Sequence, residues 1–577
     1  MNTVSSLLSG FTGAIGPFLI LLGLLIFVHE LGHFLVAKLF GVRVEVFSLG
    51  FGRKIFKYRR GHTDYCVSLI PLGGYVKMFG DDPTKDVAEA DKRESFLHKP
   101  VGQRIAIVLA GPLMNLFFAF FLFIMIGLIG EPMPGTTVGD VAPNTRAHEA
   151  GFRSGDKILS INGDAVQTWT EVKNKIAVSP NEKLQFEVQR EDSIEKAEIA
   201  VTPVIGQNDN ILSHDTQVGV IEGLDNLSYA AMIGVSDSNS FAAKAGLKSL
   251  DVITKVNDRE VYSWRDFERF LKEDLFKDRT PVKLVVQSYA EGDGKSPERE
   301  VVFNPEPATF QMQESHGEAG ETVPRATELA EFGIENAQLY LWRVKRGSPA
   351  DRALLRAGDK VTAIDGQPLT DWSQVIAVVK NFNPDGKPLE FTYVRESQEH
   401  KTSIVPEMTE LIDGRGKDEQ RFTVGIVSGY LQAGPRPTIY KVQGVGEALS
   451  LGVRRTIETT NMVVMSLVLL IRGDVSAKNV GGIISIGRFA SQSYDAGIMQ
   501  FLKMMALISV NLFLLNLLPV PVLDGGHLVF FTIEALQGAP LSMRKMEIAQ
   551  QVGLVILMSL MAFALFNDIS NLWNSIW

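Results

Sequence analysis

The 577-residue chain is 45% hydrophobic and 21% charged, with a mean hydropathy of +0.09. So many charges exclude a bare bundle of membrane spans, while long uncharged runs exclude a purely water-soluble protein. A net charge of −9 offers no footing for nucleic acid, and the single cysteine, Cys66, excludes a disulfide framework.

The first apolar run, Ile15–Phe40, contains His29-Glu30-Leu31-Gly32-His33. Positions four apart share a helix face, so His29 and His33 can offer two imidazole nitrogens to one metal ion, with Glu30 beside them. Zinc held by three protein ligands keeps an open position for water and lowers its pKa to about 7, and a neighbouring glutamate can take that proton as general base. Ionisable groups inside a span are costly and need a partner, which a bound metal supplies. The competing reading is a buried soluble helix with two satisfied histidines.

Three further stretches, Ile105–Gly130, Met504–Val522 and Ile548–Asn567, lack Asp, Glu, Lys and Arg and are long enough to approach or exceed a span, giving four in all. The first fourteen residues hold no Lys or Arg, whereas Lys38–Arg104 holds thirteen against eight acidic residues. The positive-inside rule then puts that loop in the cytoplasm, and both termini and the long segment of about 131–500 outside. The lack of a basic start argues against a cleavable signal peptide.

Residues 41–82 alternate in places and end in Gly73-Gly74-Tyr75-Val76-Lys77-Met78, which reads as strands and a hairpin close to the membrane face. An open strand edge there could pair with an extended peptide, although an ordinary membrane-surface loop fits equally well. Gly111, Pro112 and Asn115 of the second run suit close helix packing and read as structural.

The outer segment contains a threefold repeat. AGFRSGDKILSINGDAVQTW begins at Ala150, AGLKSLDVITKVNDREVYSW at Ala245, and ALLRAGDKVTAIDGQPLTDW at Ala353. In each, an aspartate (Asp156, Asp251, Asp359) precedes a tryptophan (Trp169, Trp264, Trp372) by thirteen residues. Alternating strands follow (Leu184/Phe186/Val188, Val282/Leu284/Val286, Leu389/Phe391/Tyr393), and then Gly219-Val220, Gly333-Ile334 and Gly425-Ile426. The unit resembles a PDZ domain with a permuted strand order, whose Gly-aliphatic loop can receive a peptide C-terminus. Packed β-rich spacers are the alternative. The second copy lacks the glycine before Asp251, and the third has Leu354 where the others have glycine.

Residues 445–471 hold only about ten uninterrupted apolar positions, Met462–Ile471, which suggests a helix at the outer interface or a core helix under the last PDZ-like unit. Gly481-Gly482-Ile483-Ile484-Ser485-Ile486-Gly487 reads as a loop returning to the third span. That span ends in NLFLLNLLPVPVLDGGH, where the prolines stop the helix and leave Asp524 at membrane depth. Asp524 is thus the natural third metal ligand. Capping of the next helix is the alternative, and His527 reads as structural or as a support to the ligands.

HELGH, NLLPVPVLDGGH, four spans and the PDZ-like units between the second and third span together resemble the site-2 protease family of intramembrane zinc metalloproteases, in its bacterial regulator-of-sigma-E branch. The resemblance implies one zinc ion per chain on His29, His33 and Asp524, with Glu30 as the catalytic base. It implies substrate binding by Asn511, Asn516 and the strand Gly74, Tyr75, Val76, Lys77 and Met78. It implies a zinc metalloendopeptidase of the bacterial inner membrane with periplasmic PDZ-like domains and termini. Its substrates would be single-pass membrane proteins, such as an anti-sigma factor already cut by a site-1 protease, and signal-peptide remnants. That branch carries two PDZ domains, whereas three are read here.

The expected fold class is a polytopic α-helical membrane protein of four transmembrane helices in contact with the lipid bilayer, with membrane-associated β-strands and extracytoplasmic, β-rich PDZ-like domains. The expected parts are 1–130 (first two spans and the β region 41–82), 131–222, 223–336 and 337–430 (three PDZ-like domains acting as a size filter), 431–500 (interfacial helix and loop) and 501–577 (last two spans). A membrane-anchored PDZ adaptor with a non-catalytic metal site, or a transporter, would be the other classes. Intact His29, Glu30, His33 and Asp524 speak against the first, and the lack of a span-level repeat against the second.

Overall fold

A computed structural model describes residues 2–82, 87–142, 144–191, 195–208, 217–235, 237–274, 281–288, 297–304, 314–316, 322–324, 329–412, 418–429, 432–434, 437–539 and 541–576. The chain divides into two compact units, one built from its two ends and one from its middle.

Among the described residues, the unit built from the chain ends contains four helices long and apolar enough to cross a membrane, over Gly16–Leu39, Val101–Ile129, Ile498–Leu517 and Arg544–Ser570. The first lies in α1 (Asn2–Leu39) and the second is α2 (Val101–Ile129). Between them a hairpin pairs β1 (Val44–Arg60) with β2 (Thr63–Met78). Its register doubles back: Val46–Leu49 pair with Asp64–Val67 on one side and with Gly74–Lys77 on the other. The 74–78 stretch is thus an edge, and among the described residues its outer side has no strand partner.

After the middle segment come α3 (Val445–Arg472), α4 (Ile483–Asp495), α5 (Ile498–Leu517), α6 (Asp524–Gln537) and α7 (Met543–Ile576). Two expectations need correction. The third span begins at Ile498 rather than Met504, because Lys503, which broke the uncharged run, is paired inside the protein with the fully buried Glu131. The glycine-rich stretch expected as a loop holds a helix from Ile483 onward. Asp568 of α7 makes this possible, since its carboxylate accepts from the N–H groups of Gly482, Ile484 and Ser485 at 2.9, 3.0 and 3.2 Å. These are donors that a helix start leaves unpaired. Helix α3 packs along α2 and α5, and its Val463 joins Leu21, Leu25, Ala119, Leu122 and Val510 in one apolar core.

Among the described residues, the three largest apolar cores of the middle unit lie around Phe152 and Phe186, Phe267 and Phe303, and Leu355 and Phe391. Each belongs to a four-stranded sheet of the same order, in which a two-residue strand is followed by three longer antiparallel ones. The three tryptophans open helices Trp169–Ala177, Trp264–Lys272 and Trp372–Lys380, capped by Thr168, Ser263 and Asp371.

The repeated aspartates are each 1% exposed. Asp156, Asp251 and Asp359 accept the N–H of the residue three before, at 2.8, 2.9 and 2.7 Å, and pair with Arg190, Arg299 and Arg395. Each arginine also donates to the carbonyl of Gly151, Gly246 or Leu354, tying the turn to a neighbouring strand. Paired in this way, the Arg395 guanidinium is held above its ordinary value by Asp359. The two departures from glycine keep the backbone shape: Leu250 has φ +74° and Leu354 φ +64°.

Candidate metal centre

Helix α1 crosses α2 closely enough that a Cβ on Gly32 would run into the Ala110 carbonyl, and one on Gly111 into the ring of His33. Two glycines therefore set the depth at which the histidines meet α2. His33 is 8% exposed, and its Nδ1 lies 2.8 Å from the Ile107 carbonyl oxygen. Donation to that carbonyl fixes the tautomer in which Nε2 carries a free lone pair.

Asp524 reaches the same place from the far end of the chain. Helix α5 stops at Leu517, Pro519 and Pro521 follow, and α6 starts at Asp524. The chain folds back so tightly that a Cβ on Gly525 would meet the carbonyls of Leu517 and Leu518. Asp524 Oδ2 lies 3.1 Å from His29 Nε2 and 3.6 Å from His33 Nε2, and the two nitrogens are 3.2 Å apart.

Two donors on one tetrahedral zinc ion, each about 2.0–2.1 Å from it, lie about 3.3 Å apart. The triangle of 3.1, 3.2 and 3.6 Å matches that spacing, and the two-nitrogen, one-oxygen donor set suits zinc with one position left open. Among the described residues these three form the group able to hold a metal ion.

Asn115, which reads from sequence as a packing residue, sits beside the centre. It is fully buried, with its amide nitrogen 3.2 Å from His29 Nδ1 and its Oδ1 without a partner. With the amide turned over, Oδ1 accepts from His29 Nδ1–H and leaves His29 Nε2 for a metal. Its signal in the sequence is a lone amide in an uncharged span, and its partner lies 86 residues away.

The other expected site residues are placed as follows. Glu30 is half-buried and interacts with His29, His33 and Asp524, and the Val76 N–H donates to it. A Cβ on Gly74 would come within 3.1 Å of Glu30 Cγ, so the strand lies against the glutamate. Tyr75 stacks on Phe51 at 6.1 Å, Lys77 bonds Glu45 at 2.5 Å, and Met78 is buried. Asn511 and Asn516 are half-buried on α5, and the Asn511 amide turns back to the Leu507 carbonyl at 3.2 Å. His527 lies outside the triangle, its ring near Phe530 and Phe531.

Comparison with known proteins agrees with this chemistry. The model of peptidase family M50 matches residues 17–560. The "Regulator of sigma-E protease RseP" of Salmonella typhimurium is 31% identical over 563 residues, covering 97% of this chain and 98% of that one. The Escherichia coli K12 protein of the same name is 31% identical with the same coverage. A Vibrio cholerae protein named "Putative zinc metalloprotease" is 30% identical over 96% of this chain and 98% of its own. The chain belongs to peptidase family M50 and is a zinc metalloprotease of the site-2 type.

Proposed function

We propose that this enzyme hydrolyses a peptide bond within the transmembrane segment of single-pass proteins, with one zinc ion per chain held by His29, His33 and Asp524. The observation that carries the reading is the 3.1–3.6 Å triangle of those three side chains on helices of membrane-spanning length. Bound zinc supplies Lewis acidity, acidifying water and polarising a peptide carbonyl. Glu30 takes a proton on its carboxylate and returns it to the leaving amine. The edge strand Gly74–Met78 pairs with the substrate backbone, because an α-helix hides its peptide bonds and must be drawn out before it is cut. Asn511 and Asn516 position the drawn-out chain.

The class of substrate follows from the same placement. An anti-sigma factor trimmed by an earlier protease, or a signal-peptide remnant, brings a single span with little mass outside the membrane. The three PDZ-like domains are assigned the exclusion of bulkier chains, since the segment that holds them is tethered at both ends, leaving the second membrane-length helix at Ile129 and leading to the third at Ile498. We place the enzyme in the bacterial inner membrane with those domains in the periplasm, on the charge bias of the Lys38–Arg104 loop. Cleavage of one transmembrane substrate, with and without a folded outer domain, tests the reading. Cleavage of the trimmed form alone is expected, and equal cleavage of both refutes the size filter.

A further inference from the structure

Four positions of α2 form a stripe at spacings of three, four and four: Arg104, Ile107, Gly111 and Asn115. Three of them meet the histidines of α1, through the Ile107 carbonyl, the space left by Gly111 and the Asn115 amide. The fourth reaches the helix that begins with Asp524. Arg104 donates from Nη1 and Nη2 to the two oxygens of Glu534 at 3.0 and 2.6 Å. Its Nε donates to the Lys99 carbonyl at 3.0 Å, and its guanidinium lies 4.8 Å from the Phe531 ring centre. The side chains are 7% and 15% exposed.

We propose that Arg104 and Glu534 are positioning residues for the metal centre, fixing α6 so that Asp524 stands at ligand distance from His29 and His33. Ten residues of helix, about 15 Å, separate Glu534 from Asp524. Asp524 is the first residue of α6, so the direction and rotation of that helix decide where its carboxylate stands. A forked ion pair fixes direction as well as distance, which a single point charge does not. Stacking on Phe531, which packs with Ile107 and Val108 of α2, then sets the rotation of α6. One stripe of one helix thereby serves as the common reference for all three ligands, although they come from opposite ends of the chain. The pair is an expensive way to obtain mere stability, because two apolar side chains would hold the same helices at less cost in desolvation.

The proposal rests on Asp524 being a zinc ligand, and the test separates the two claims. Zinc affinity of the full-length protein in detergent is measured by competition with a chelator, and its thermal midpoint with zinc and with chelator. The variants are Glu534→Gln, Arg104→Lys, and the paired Arg104→Met with Glu534→Leu, which fills the space without a buried charge and folds where the single changes fail. Zinc affinity is expected to fall about 10–100-fold, and the rise in midpoint on adding zinc to shrink even where the chelated protein melts as high as the wild type. Excess zinc should restore kcat with KM unchanged. Wild-type zinc affinity in the paired variant overturns the positioning role and leaves the pair as support for the fold. Asp524→Ala runs alongside: if it too keeps wild-type affinity, the ligand assignment falls and the positioning role with it.

Discussion

The ring of His33 lies against Gly111 of the second span, where even a methyl group would overlap its Nε2 atom. The glycine therefore shapes the proposed metal centre without offering it a donor. Gly111→Ala should cost about 1–3 kcal/mol in overpacking or push His33 out of the triangle. Zinc retention against a chelator, measured on the folded protein, should drop. Retention equal to wild type would mean that α1 and α2 separate freely, contrary to the close crossing at Gly32.

Asn115 supports His29 from the same helix. Removing the partner of a ligating histidine typically costs about 10–100-fold in metal affinity, so Asn115→Leu should weaken zinc binding by that factor while leaving the thermal midpoint of the chelated protein within a few degrees. Unchanged zinc affinity in Asn115→Leu would assign the amide to helix packing alone.

The edge strand makes a separate prediction. A proline at position 76 removes one backbone donor and the contact of that N–H with Glu30. One hydrogen bond is worth about 1 kcal/mol net, so Val76→Pro should lower kcat/KM on a transmembrane peptide by about fivefold or more without releasing zinc. Wild-type kcat and KM in a folded, zinc-loaded Val76→Pro enzyme would exclude backbone pairing at this edge.

Leu354 adopts φ +64° with its side chain 68% exposed. A left-handed backbone costs a leucine roughly 1–2 kcal/mol, and the flexibility of glycine returns part of that. Leu354→Gly should stabilise the third repeat unit by about 0.5–1 kcal/mol, read from hydrogen exchange of the strand Leu389–Arg395 in the intact chain. Destabilisation would show that the leucine makes contacts worth more than its strain.

The parts legible in the sequence were those whose signal is local. His29 and His33 share a helix face by spacing alone, Asp524 stands out as a carboxylate after a proline stop, and the repeat shows its period directly. The misread parts depended on distant partners. Lys503 ended an uncharged run, yet Glu131 neutralises it inside the protein. Ile483–Gly487 read as part of a loop, yet Asp568, more than 80 residues on, starts a helix there. Arg104 and Glu534 are 430 residues apart, and no spacing rule connects them. The leucines at 250 and 354 broke the glycine pattern without breaking the turn, because the buried aspartate and its arginine hold the backbone in place.

The central claim is that His29, His33 and Asp524 hold one zinc ion and that Glu30 is the base. The most direct test is zinc content and cleavage of a transmembrane peptide, measured on the same preparations of wild type, Glu30→Gln and Asp524→Ala. The account predicts one zinc per chain and chelator-sensitive cleavage in the wild type, zinc without cleavage in Glu30→Gln, and neither in Asp524→Ala. Full cleavage by Glu30→Gln, or a full complement of zinc in Asp524→Ala, would contradict it.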